Sequence, residues 1–128
     1  MYCEFQRAVD RWMNHCFGIK ISMDKQERNH RFLEEALELV QACGCTREEA
    51  HKLVDYVFNR DVGEIPQEIG GVMVTLSALC SSQKWDMQKC GETELRRVWE
   101  KVDQIREKQK RKPAMSPLPG CYPDRTSN

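Results

Sequence analysis

From Phe5 to Ile105, apolar residues return every three or four positions, the signature of amphipathic helices that turn one face to a core. Phe5, Val9, Trp12, Met13 and Cys16 form the first stripe, which stops before Gly18 and predicts a helix. After a short connection, Asp24-x-x-Glu27 has the form of a capping box, in which the aspartate accepts from orphan N–H groups and the glutamate reaches back. It opens a second helix to about Cys43. Leu33, Ala36, Leu37 and Val40 are its expected buried stripe, and Gly44 is its left-handed end.

Thr46-x-x-Glu49 is a second capping box, and Ala50, Leu53, Val54, Val57 and Phe58 continue the pattern into a third helix. A turn covers residues 59–63. Pro66 suits the first turn of a fourth helix, where its missing N–H goes unpaired in any case, and Ile69, Val72, Met73, Leu76, Leu79 and Cys80 supply the stripe. Val74 and Ala78 lie on the opposite side, so this helix is expected to be central, covered by neighbours or by a second subunit. Leu95, Val98, Trp99, Val102 and Ile105 mark one last helix, which trails into the basic run Lys108 to Lys112 and ends at Pro113. The expected organisation is a single all-α domain over 1–112, with a Pro-rich tail over 113–128.

Length and composition narrow the classes. A chain of 128 residues supports one hydrophobic core. Charged residues make up 31%, but their regular alternation with aliphatic stripes reads as helix faces and not as disorder. With 20 basic and 20 acidic residues there is no net field to draw nucleic acid or an anionic membrane. No window approaches the roughly 20 apolar residues of a membrane span, and the start of the chain lacks a basic leader with an apolar core. Seven cysteines, an odd set without a C-x-x-C pair, read as reduced thiols. A cytoplasmic protein is expected.

The chemistry concentrates in glutamates. Glu35 and Glu38 are i,i+3 neighbours and Glu34 and Glu38 are i,i+4, so three carboxylates share one turn of the second helix. Like charges so placed cost about 0.2–0.5 kcal/mol per pair unless a cation sits between them. Hard oxygen ligands at this spacing suit Mg²⁺ or Mn²⁺. The plain alternative is a solvated helix face, neutralised by Arg28 and Arg31. Glu68 reads two ways as well, either as a partner of those acids or as a complement to the positive start of its own helix. Beside it, Gly70-Gly71 costs a helix interior roughly 2 kcal/mol relative to alanine, offset where another backbone or a ligand comes close. His15, His30 and His51 share no ligand spacing, and Cys43-Gly44-Cys45 lacks further soft ligands.

Arg31-Phe32-Leu33-Glu34-Glu35-Ala36-Leu37-Glu38-Leu39, followed by Gly63-Glu64-Ile65-Pro66-Gln67-Glu68-Ile69-Gly70-Gly71-Val72, resembles the all-α nucleoside triphosphate pyrophosphohydrolases of the MazG type. The resemblance extends over roughly Phe5 to Lys110, and it is closest to small phage and bacterial members. It implies a bundle of four to five helices, assembled as a homodimer or homotetramer. It also implies Mg²⁺ (or Mn²⁺) held by E-E-x-x-E on one helix and E-x-x-D on a later one, with cleavage between the α- and β-phosphates. Carried over, Glu35, Glu38 and Glu68 match metal ligands and Glu34 matches the leading acid. Lys101 and Arg106 resemble the phosphate-holding cations, and Trp12 falls where the nucleobase pocket meets the first helix. One position departs: the family's aspartate falls on Gly71. Its loss leaves a single-metal site, replacement by Glu64, Asp61 or Asp86, or an inactive protein.

The expected activity is therefore metal-assisted hydrolysis of a (d)NTP to (d)NMP and pyrophosphate, with Glu34 orienting or deprotonating the water. The alternatives are a catalytically impaired nucleotide-binding or regulatory protein on the same fold, and a structural helical module.

Overall fold

The computed structural model describes residues 1–111, so the Pro-rich tail lies outside the described residues. The fold of these residues is all-helical. Seven helices follow in order: α1 Glu4–Phe17, α2 Ile19–Ser22, α3 Lys25–Ala42, α4 Arg47–Phe58, α5 Ile65–Ser82, α6 Met87–Glu100 and α7 Val102–Lys110. Among the described residues there is no strand. No described helix is long and apolar enough to cross a membrane.

Two of the seven were not expected. Gly18, at φ 81°, donates to the Asn14 carbonyl and turns the chain into the single turn of α2, where a plain connection was predicted. The expected last helix is two. Lys101 leaves helical geometry at φ −114° and ψ 23° and bonds back to Val98, and α7 starts again behind it. The other boundaries follow the capping logic. Asp24 Oδ1 accepts from the Glu27 N–H at 3.1 Å to open α3. Gly44, at φ 98°, closes α3 while the Cys45 N–H reaches the Val40 carbonyl and the Gly44 N–H the Gln41 carbonyl, the paired bonds of a Schellman end. Thr46 and Glu49 form the complete reciprocal box at the start of α4. The end of α5 repeats the Schellman pattern with Lys84 in the left-handed position, at φ 61°.

The residues group into two compact units, Met1–Leu39 with Glu92 onward, and Val40–Gly91. In the first, α1 packs on α2 and on α7. Trp12 meets Phe17 edge to face, with ring centroids 5.6 Å apart, and His15 lies against Trp99 at 5.0 Å. Cys16 is the one buried apolar side chain among the described residues.

The rest of this interior is polar, which corrects the expected packing of α3. Glu27 is completely buried and takes a hydrogen bond from the Gln109 amide of α7. Arg31 reaches Gln109 Oε1 at 2.9 Å and Glu27 at 3.6 Å, and Arg28 approaches Glu27 at 3.5 Å. Glu27, Arg31 and Glu34 fall on one side of the helix, so the side of α3 turned inward is the charged one. Leu33 and Leu37, expected in the core, are exposed.

In the second unit α4 and α5 contain no buried residue. The expected central position of α5 is not met within the single chain: Val74 is 70% exposed and Met73 63%. No neighbour among the described residues covers them. A Cβ added at Gly70 or Gly71 would meet nothing within 4 Å, so nothing among the described residues accounts for the glycine pair.

Candidate metal centre

α3 places Glu34, Glu35 and Glu38 within one turn because it runs unbroken through them from Lys25 to Ala42. Glu34 is half-buried, while Glu35 and Glu38 are exposed. Arg31 engages the first of these, its Nη1 lying 3.4 Å from Glu34 Oε1. That guanidinium is shared among Glu34, Glu27 and Gln109, so one cation joins the glutamate face to the buried carboxylate. Of the two arginines expected to neutralise the face, Arg31 makes contact with Glu34, whereas Arg28 is directed to Glu27 and to Met13 Sδ at 3.7 Å.

Arg97 of α6 is a cation that the periodicity did not single out. Glu94 grips it with two hydrogen bonds, at 2.8 and 2.7 Å. The bonded Glu94 holds the guanidinium above its ordinary pKa, and Glu35 adds to the effect through its charge. The same contact holds the Glu94 carboxyl below the usual carboxylate range. The i,i+3 spacing of Glu94 and Arg97 was the available signal, but such pairs are common on exposed helix faces.

Glu68 lies in the first turn of α5, in the other unit, and is exposed. Its carboxylate leans back over Gly63, where an added Cβ would sit 2.6 Å from Oε1. This is the placement of an acid that complements the start of its own helix. Of the acids considered in place of the missing aspartate, Asp86 caps α6 through the Lys89 N–H at 2.8 Å. Glu64 stands at the N-cap of α5 without a side-chain cap bond, and Asp61 lies in the preceding loop.

The expected substrate contacts are dispersed. Trp12 is half-buried against Phe17, and its Nε1 has no hydrogen-bond partner among the described residues. Lys101 is exposed at the break before α7. Arg106 donates to the carbonyls of Cys16 and His15 at 2.8 and 2.7 Å, which makes it the C-terminal cap of α1. A cleft of about 390 Å³ opens beside it, floored by Cys16, Phe17 and Ile21 and edged by Asp103, Arg106 and Lys110. Burial there pushes the Cys16 thiol up, against the lowering effect of the Arg106 charge. None of the motif glutamates lines this cleft.

The donor chemistry of the α3 glutamates suits a hard divalent cation, but three of them are not gathered around one point. Among the described residues no group of three or more His, Cys, Asp or Glu side chains is placed to hold a metal ion. Comparison with protein-family models, with curated proteins and with solved structures finds no match.

Proposed function

We propose that this chain is a Mg²⁺-dependent nucleoside triphosphate pyrophosphohydrolase that acts in the cytoplasm as a homodimer or homotetramer. The observation that carries the reading is the glutamate face of α3: Glu34, Glu35 and Glu38 on one turn, at the spacing of the family motif, with Arg31 and Arg97 beside them. Glu35, Glu38 and Glu68 would hold Mg²⁺ (or Mn²⁺), as the resemblance assigns. The bound ion would supply charge neutralisation on the triphosphate while water attacks phosphorus.

The chain's own residues do the remaining work. Arg31 holds Glu34 in one orientation, and Glu34 orients the water or takes its proton. Lys101 and Arg97 offer positive charge to the phosphates, whereas Arg106 has to leave two backbone carbonyls before it can do so. Trp12 offers an aromatic face to the base.

The test is pyrophosphate release from a panel of standard and oxidised NTPs and dNTPs with Mg²⁺. The expected result is release that Glu38→Gln abolishes. Nucleotide binding without product would instead support a second reading, a nucleotide-binding or regulatory protein without turnover, which Gly71 and the ungathered acids favour. If neither binding nor release is found, a structural helical module remains.

A further inference from the structure

Polar contacts tie α7 to its neighbours. Arg106 caps the end of α1 through the carbonyls of Cys16 and His15. Gln109 donates to Glu27 and accepts from Arg31, both on α3. The ion pairs of Asp103 with Arg106 and of Glu107 with Lys110 lie within α7 itself. Its apolar side chains, Val102 and Ile105, are only half-buried. Little apolar burial therefore resists its removal, and elements of that kind open well below the free energy of global unfolding. The buried charge acts in the same direction, because Glu27 loses the Gln109 amide when α7 leaves but regains water, which offsets part of the loss. At its start α7 has a joint: Lys101 stands at φ −114° and ψ 23°, outside helical geometry. A helix of 9 residues is too short to persist alone in water, so a detached α7 unravels.

We propose that α7 is a detachable strap. It opens as one unit from Lys101 onward and uncovers Cys16, which lines the cleft together with Arg106, Gln109 and Lys110. The helices beneath it keep other support. α1 retains its packing on α2, the contact of His15 with Trp99, and the approach of Met13 to Arg28 of α3. Opening also takes Gln109 Oε1 away from Arg31, whose Nη1 lies 3.4 Å from Glu34. The strap is therefore a two-state switch for the glutamate face: Arg31 is fixed when it is closed and free when it is open. That consequence rests on the reading of α3 given above, whereas the strap itself does not.

Alkylation of the full chain with iodoacetamide, read cysteine by cysteine by mass spectrometry, tests it together with hydrogen exchange. Cys3 and Cys90 are exposed and give the reference for unhindered labelling. The expected result is that Cys16 labelling and exchange over 102–110 report one opening with little urea dependence, while the amides of α1 stay protected up to the global transition. Cys16 and 102–110 that open only together with α1, at the urea dependence of global unfolding, overturn the strap. Labelling of Cys16 while 102–110 stay protected overturns it too. Gln109→Ala is expected to speed Cys16 labelling about 30-fold and Arg106→Ala about tenfold. An unchanged rate in both overturns the polar latch. Where a variant fails to fold, the comparison of local with global opening in the wild type decides. Pyrophosphate release is followed in parallel, and its absence counts against the catalytic reading while the thiol and exchange data still decide the strap.

Discussion

A buried carboxylate depends on each of its partners. Glu27 is fully enclosed, and its charge is compensated by the Gln109 amide with Arg31 and Arg28 close by. Removing one partner leaves the rest to hold a desolvated charge, a loss larger than the net worth of an ordinary hydrogen bond. Gln109→Ala is therefore expected to destabilise the protein by about 2 kcal/mol in urea titration. Arg31→Leu should cost more, about 3 kcal/mol, since it removes the cation. Lys84 gives the opposite case. A left-handed backbone costs an L-residue roughly 1–2 kcal/mol, and glycine removes that cost while returning part of it as chain entropy. Lys84→Gly is expected to raise the urea midpoint, corresponding to about 0.5–1 kcal/mol.

Helix boundaries were the most legible elements, because caps are local chemistry. The Thr46 box, the Gly44 stop and Pro66 in the first turn of α5 all stand where their side chains predicted. Thr46→Ala is expected to cost about 1 kcal/mol and to fray α4. The box also sets a pH dependence. Hydrogen bonds from the Thr46 backbone and side chain hold the Glu49 carboxyl below its ordinary value of 4.5. A carboxyl depressed on folding adds stability that is complete above the unfolded value and fades as pH falls through the lower folded one. Helical chemical shifts over 47–58 should therefore hold at pH 5 and weaken as pH falls below the ordinary carboxyl value of 4.5 in the wild type, with a much smaller pH response in Glu49→Gln, since Thr46→Ala would keep the backbone donor. The orientation of α3 was not legible. Periodicity turned Leu33 and Leu37 inward, yet the inward face is set by Glu27, whose partner stands 82 residues away. Spacing along one helix carries no trace of a contact so distant in sequence. The glutamate motif was legible for the same local reason that the caps were. What the sequence left open was the company of those acids: Arg31 on Glu34, Arg97 near Glu35, and Arg106 drawn to the end of α1.

At the scale of the whole molecule, burial is unevenly divided. Cys16, Glu27 and Gln109, the buried residues among those described, all fall in the unit that holds both α1 and α7. The other unit has none on α4 or α5. Stability that depends on a second copy rises with concentration by mass action. For the homo-oligomer proposed above, the melting temperature is expected to climb by several degrees over a 100-fold concentration range. A melting temperature independent of concentration would place the missing burial elsewhere. The polar tie between α3 and α7 also bears on how the chain folds as it is made. The unit that contains α1 is discontinuous, so Glu27 emerges from the ribosome long before Gln109 exists to meet it. Domains ordinarily close from the N-terminus as synthesis proceeds. Here Met1–Leu39 waits for the last helix, and the whole of Val40–Gly91 is synthesised in between.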